Sequence, residues 1–306
     1  MCESKKHESY LKYRDELIEA GLLIPSGVQG VFGRNKTFEK VVAAFENYVS
    51  KMASERKCEV VSFSPILNRA HYLKTEHVYN FPDLLGSIHS FKKREPEQAE
   101  MIRKLNDNED WTRDLDPTDV MMTPAACYPV YPANSGTLPL GGKTIDLTGH
   151  VFRHEPSDDP ARMQIFRQRE FVRLGTADEA REHRDYWIKM GKIILDSIGL
   201  KVKVVVANDP FFGRGGRLRK ATQREQDLKH EFIIPICSEE DPTAIASCNY
   251  HLDSFGSKFD IKTDNGDIAH SSCIGFGLER VALALFKTHG IEMGKWPSEV
   301  LNILEL

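Results

Sequence analysis

The residues best suited to chemistry fall in two places. The stretch "FRHEPSDDPARMQIFRQREFVRLG", Phe152 to Gly175, carries five arginines and four carboxylates, yet it begins and ends like a β-strand. The segment "SSCIGFGLERVALALF" sets Gly275 and Gly277 just before a helical pattern whose first turn carries Arg280, with Leu278, Val281, Ala282 and Leu285 as its apolar positions. Such residues suit a polyanion. Arginine forks grip phosphate, a helix start adds the positive end of its dipole, and glycine lets the backbone pass close to a ligand. "PSDDPA" reads as a turn, so the first stretch predicts a hairpin. Alternation then places Arg162, Gln164, Phe166, Gln168 and Glu170 on one face, with Arg153 and Glu155 sharing a face of the partner strand. Taken alone, the same residues also fit an exposed hairpin with its charges in water.

The elements that must position these groups are legible from periodicity. "TFEKVVAAFENYVSKM" repeats apolar residues at Phe38, Val41, Val42, Phe45, Val49 and Met52, one face of a helix with Thr37 as its expected N-cap. "CEVVSFSPIL" reads as a strand interrupted by Pro65, which belongs at an edge or a bulge and suggests an interface. A helical excursion and loop are expected over residues 91–120, followed by short strands in "KTIDLTG", "HVFRHE" and "QIFRQREFVRL". A long helix is predicted from about Asp178 to Ile198, then strands in "KVKVVVAND" and "HEFIIPI". Strands clustered beside helices without βαβ alternation predict an α+β fold with a mainly antiparallel sheet.

Composition narrows the class. With 306 residues, 41% hydrophobic content, a net charge of −4 and a pI near 6.3, the chain can bury a full core but has no general basic coat for nucleic acid. No segment approaches a membrane span and the N-terminus lacks an apolar signal region, so a cytoplasmic protein is expected. The cysteines, Cys2, Cys58, Cys127, Cys237, Cys248 and Cys273, form no CxxC pair and read as thiols or metal ligands.

"FRHE" (Phe152 to Glu155), "RMQIF" (Arg162 to Phe166) and "GFGLER" (Gly275 to Arg280) resemble motifs 2 and 3 of the class II aminoacyl-tRNA synthetases, and "VVSFSPIL" is similar to their motif 1 at the dimer interface. The resemblance spans roughly residues 30–306. It implies one class II catalytic domain over residues 1–306, with a helical extension at about 1–30 and a helix and basic-loop insertion at about 178–228. It also implies that Arg153 binds the α-phosphate of ATP, Glu155 accepts from the adenine amino group, Phe166 stacks on adenine, and Arg162 and Arg280 hold the β- and γ-phosphates. Attack of a carboxylate on the α-phosphorus is largely positioning and charge neutralisation, so arginines and Mg²⁺ carry it without a protein nucleophile.

Within the class, "HEFIIPICSEEDPTAIASCNYH" resembles the strand pair of seryl-tRNA synthetases. The metal-binding Glu of that family is replaced by Ala244 while Ser247 is kept; Glu231 becomes the substitute for holding Mg²⁺, and Lys229 is placed to reach the nucleotide. A zinc-dependent seryl type grips the substrate amine through a metal held by Cys, Glu and Cys. The resemblance implies Cys127, Glu170 and Cys273 for that Zn²⁺, with Cys248 as the rival ligand. Only some 30 residues precede the core-like part, and "ESYLKYRDELIEAGLL" offers about two heptads, so no tRNA-binding coiled coil is expected. The chain is therefore similar to the truncated amino acid:[carrier protein] ligases. That resemblance implies activation of glycine or alanine as an adenylate, transfer to the phosphopantetheine thiol of an acidic carrier protein, and a homodimer. A zinc-dependent seryl-tRNA synthetase and a non-catalytic paralogue are the alternatives. Carrier docking is expected at the basic group Arg214, Arg217, Arg219 and Lys220, or on the polar face of the long helix with Arg181, His183, Arg184 and Lys189.

Overall fold

The computed structural model describes residues 2–209 and 227–306. The basic group at Arg214 to Lys220 lies outside the described residues. A seven-stranded sheet dominates. In chain order its strands are β1 (Glu59–Val61), β2 (Lys143–Phe152), β3 (Ile165–Gly175), β4 (Lys203–Val206), β5 (Lys229–Ile234), β6 (Thr243–Tyr250) and β7 (His270–Gly277). Their spatial order is β4-β5-β6-β7-β3-β2-β1, and every pairing is antiparallel except β1 with β2.

Helices α1 (Cys2–Glu19), α2 (Lys36–Met52), α3 (Ala177–Ser197) and α4 (Leu278–His289) surround it. The apolar stripe of α2 is buried at Phe38, Val41, Val42, Phe45 and Val49, as its periodicity requires. Its N-cap is Asn35 rather than Thr37, because the Asn35 carboxamide oxygen accepts the Phe38 N–H at 2.9 Å. A full capping box between Thr176 and Glu179 starts α3. One face of the sheet packs on α2 and α3: Phe171 stacks on Trp187 with ring centroids 4.5 Å apart, and Phe45 meets Phe276 edge-on at 5.7 Å.

Pro65 separates two sheets instead of bending one strand. Glu59–Val61 runs at the edge of the main sheet, while Ile66–Asn68 joins a three-stranded sheet with Ser87–Ser90 and Asp116–Met122. The region read as an excursion and loop thus ends in the central strand of that small sheet. Its helix, Glu95–Asn106, buries no residue, which is why the whole region looks solvated in the sequence.

The hairpin also differs from expectation. The strands end at Phe152 and restart at Ile165, which are register partners, so Arg153, Glu155, Arg162 and Gln164 lie in the connection and the alternation argument does not apply to them. Asp159 organises that connection by accepting the Ala161 N–H at 2.9 Å. Gln164 is held by the chain ahead of α2, its N–H donating to the Gly30 carbonyl at 2.8 Å and its carboxamide N–H to the Gln29 carbonyl at 2.8 Å.

Gly191 lets α3 approach the sheet. A Cβ there would stand 2.9 Å from Phe232 Cζ and 3.1 Å from Ile274 Cδ1. Gly191→Ala is expected to lower stability by about 1 kcal/mol, because overpacking costs ~1–3 kcal/mol against a helix-propensity gain near 1. A urea midpoint above wild type would refute this.

Candidate functional site

Cross-strand partners share a face, so the register decides which side chains meet. Lys229 faces Asn249 and Glu231 faces Ser247; Asn249 and Ser247 in turn face Cys273 and Gly275, and Gly275 faces Glu170. All of them therefore occupy the face opposite α3, and Gln168 and Phe166 continue the same face along β3. Cys248 is one residue out of phase with this row. It pairs with Ile274 on the helix-covered face, which removes it as a rival ligand.

At one end of the face are the arginines. The Phe166 ring has the Arg153 and Arg280 guanidinium carbons each 5.5 Å from its centroid. Backbone carbonyls hold both groups: Pro124 accepts from Arg153 Nε at 3.0 Å, while Ala161 and Ala244 accept from Arg280 at 2.8 and 3.1 Å. Ala244, which the sequence places where the resembled family carries a metal-binding Glu, contributes its backbone carbonyl to Arg280. Burial, then Arg153 and Arg162, push the Arg280 pKa down to about 10, so it remains charged at neutral pH in a like-charged cluster. Glu155 and Arg162 pair with each other at 2.7 Å, with side chains 34% and 45% exposed.

Deeper on the face, Lys229 is buried. It donates to Asp209 and lies 3.1 Å from Glu231. Burial works against its charge, but the Asp209 and Glu231 carboxylates outweigh that and hold its pKa above the ordinary lysine value. Asp209 follows β4 by a few residues and carried no sequence signal.

Beyond Arg153, the ligand atoms of Cys127, Glu170 and Cys273 all lie within 4.8 Å of one another and all three residues are buried. Cys127 comes from the segment that covers this face, where the Ala126 N–H donates to Gln168 at 3.1 Å and the Cys127 N–H to Glu170 at 3.2 Å. Burial, then the Cys273 charge, pushes the Glu170 pKa up to about 8. The hydrogen bond from its thiol to Cys273, together with burial, holds the Cys127 pKa well above the usual thiol value, and the same bond holds Cys273 well below it. Three acidic groups in so small a buried space cannot all ionise without a cation. Two thiolates and a carboxylate fit a divalent ion and leave a fourth position open.

Sequence reasoning missed the ion network behind the arginines. Glu279, only 1% exposed, accepts the Arg167 backbone N–H and its Nε–H, both at 2.7 Å. Arg167 continues to Glu39 at 2.8 and 3.0 Å, and Arg34 closes the ring with Glu39 at 2.7 Å and Glu279 at 3.7 Å. The only hint in the sequence was the glutamate of "GLER", adjacent to Arg280. His183 also corrects an expectation. It is buried against the Phe171 carbonyl at 3.1 Å rather than on the polar face of α3, and burial lowers its pKa to about 3.

Similarity to known proteins agrees with this geometry. The chain is 40% identical to amino acid–[acyl-carrier-protein] ligase 1 of Bradyrhizobium diazoefficiens over 284 residues, covering 92% of this chain and 86% of that protein. It belongs to the amino acid–[acyl-carrier-protein] ligase family. Ligase 2 of the same organism is 40% identical over 294 residues, covering 95% of this chain and 87% of the relative. Type-2 serine–tRNA ligase of Methanopyrus kandleri is 27% identical over 200 residues, 60% of this chain and 38% of that one. No family model matches the chain. Among solved structures, M. kandleri SerRS in complex with A. aeolicus tRNASec superposes with a TM-score of 0.80 at 20% identity, over 96% of this chain and 60% of that one. Seryl-tRNA synthetase of Pyrococcus horikoshii complexed with ATP gives 0.70 at 12% identity, over 96% and 62%. The ligase therefore has the class II synthetase catalytic fold.

Removing one partner of a buried ion pair leaves the other charge uncompensated. Glu279→Ala is accordingly expected to cost the ligase ~3–5 kcal/mol of stability. Urea unfolding showing a loss under about 1 kcal/mol would mean the network is not structural.

Proposed function

We propose that this ligase activates a small amino acid, glycine or alanine, with ATP and passes it to the phosphopantetheine thiol of an acidic carrier protein. The observation that carries the reading is the 40% identity, over 92% of the chain, to a relative named as an amino acid–[acyl-carrier-protein] ligase. In the first half-reaction an amino acid carboxylate oxygen bonds to the α-phosphorus, the α–β bridging bond breaks, and pyrophosphate leaves. In the second, the thiol sulfur bonds to the aminoacyl carbon, AMP departs, and the thiol proton goes to solvent.

Arg153 and Arg280 would neutralise charge developing on the α-phosphate and its neighbours, and Phe166 would stack on adenine between them. Glu155 and Arg162 are assigned to the adenine amino group and the outer phosphates. Their mutual pair is exposed enough to be worth only ~0–1 kcal/mol, so exchanging it for nucleotide costs little. Ser247 and Glu231, facing each other across β5 and β6, are the candidates to hold Mg²⁺, with Lys229 fixing the Glu231 carboxylate. Zn²⁺ held by Cys127, Glu170 and Cys273 would supply a Lewis-acidic position for the substrate amine. The protein around that position sets side-chain selectivity, and one methylene is worth only ~1–3 kcal/mol of discrimination, so both glycine and alanine would react.

A pyrophosphate-exchange panel over the small amino acids is expected to show activity with glycine and alanine, and transfer to a phosphopantetheinylated carrier but not to tRNA. Strong exchange with serine alone, or efficient tRNA charging, would overturn the reading. We further propose a homodimer built on α2 and the edge strand β1, whose Val60 is 77% exposed. Sedimentation at micromolar concentration is expected to give twice the chain mass, and a monomer would refute it.

A further inference from the structure

Two side-chain nitrogens converge on one sulfur of the Cys127, Glu170 and Cys273 group. Asn249 Nδ2 lies 3.7 Å from Cys273 Sγ, and His251 Nε2 lies 3.8 Å from the same atom. Asn249 is the register partner of Cys273, and His251 follows two residues later, just past the end of β6. The His251 N–H donates to the Ser271 carbonyl at 2.9 Å, and the Ser271 N–H donates to the Leu252 carbonyl at 3.0 Å. Those bonds extend the sheet ladder past β6 and fix where the imidazole starts.

The ring itself is held on its other sides. Its Nδ1 is 3.0 Å from Ser271 Oγ and 3.5 Å from Tyr131 Oη, and Phe255 meets the ring edge-on with centroids 5.1 Å apart. Among the described residues, the group whose ligand atoms all lie within 4.8 Å of one another is Cys127, Glu170 and Cys273, and it does not include His251. The imidazole thus reaches one ligand without joining the ligand set. A metal-bound thiolate has no proton to give, so Nε2 must carry the hydrogen and Nδ1 must accept, with the Ser271 hydroxyl as the donor that selects this tautomer.

We propose that His251, supported by Ser271 and joined by Asn249, is the outer-shell cradle of the metal centre and donates Nε2–H to the Cys273 thiolate. This rests on the metal reading above. The Glu170 carboxylate receives the Cys127 N–H, so two of the three ligands have N–H donors and the third, Cys127, contributes one of them. A donated hydrogen bond draws negative charge off the sulfur and holds it in one orientation, and would leave an ion bound there more electrophilic toward an incoming amine. Outer-shell partners of this kind are commonly worth ~10–100-fold in metal affinity.

The test uses the full chain purified with its metal. Elemental analysis of wild type is expected to show one zinc per chain. In competition with a chelator, His251→Ala is expected to lose zinc ~10–100-fold more readily, and Ser271→Ala to show a smaller loss in the same direction. After replacement by Co²⁺, the thiolate-to-cobalt charge-transfer band should shift in both variants. Wild type with zinc but variants with unchanged retention and an unshifted band would overturn the role of His251 and leave the metal reading intact. Wild type that holds no zinc would overturn both. If His251→Ala does not fold, Ser271→Ala decides the question, because it removes the nearer of the two hydroxyls at Nδ1 and leaves the imidazole in place.

Discussion

The site depends on a carboxylate buried to 1% exposure, Glu279, and on the two arginines that make its burial tolerable. A charge taken that far from water costs several kcal/mol unless paired and hydrogen-bonded, and Arg167 meets it through both its backbone and its guanidinium. The geometric consequence matters more than any net stability. Glu279 precedes Arg280 and Arg167 follows Phe166, so one ion pair fixes the relative position of a guanidinium on α4 and an aromatic ring on β3. Glu39 and Arg34 bind the same pair to α2 and to the strand before it. Three parts of the chain that are distant in sequence, around residues 34–39, 167 and 279, are thereby set around the place where three arginines stand close together.

That like-charged cluster is unfavourable by itself. Burial and the neighbouring guanidiniums both weaken the Arg280 proton affinity. The Ala161 and Ala244 carbonyls accept from Arg280, and the Pro124 carbonyl accepts from Arg153. A site that stores positive charge in a rigid frame needs little reorganisation when a polyphosphate arrives. The acidic end of the same face has the opposite problem: Cys127, Glu170 and Cys273 crowd three acidic groups that could all ionise only beside a cation. The two ends sit on one sheet face and are linked along β3 from Phe166 through Gln168 to Glu170. A rigid strand therefore spans the distance between the arginine end and the acidic, thiol-bearing end.

The sheet's two faces divide the work. Phe171, Phe232, Ile274 and Phe276 pack against α2 and α3, where Gly191 allows close approach, and this packing holds the strands in register. The other face can then carry polar groups because a covering segment, Ala126 to Tyr131, shields them and donates backbone N–H groups into the site.

Much of this was legible from residue types. The stripe of α2, the long helix α3, and the arginine and glycine motifs all follow from local periodicity and the chemistry of phosphate recognition, while the strand pair around Ser247 was legible only through the family resemblance. Local rules failed where a competing contact was nonlocal. Arg162 and Gln164 were read onto a strand face, but Asp159 and the Gly30 segment capture that part of the chain in a connection. Likewise, His183 was read as a surface residue, but the Phe171 carbonyl takes it inward. The strand Asp116–Met122 hid within a charged excursion because its partners come from two other segments. By itself, then, the sequence determined which chemical groups are available and the class of fold that carries them. Alternation along a strand specifies only which residues share a face, never which face meets the helices. Cys248 and Cys273 look equivalent until the β6–β7 register assigns them to opposite sides. The meeting of Cys127 with Glu170 and Cys273, the nitrogens around the Cys273 sulfur and the Glu279 network were decided by tertiary structure alone, because each requires segments that are well separated in the chain to lie side by side.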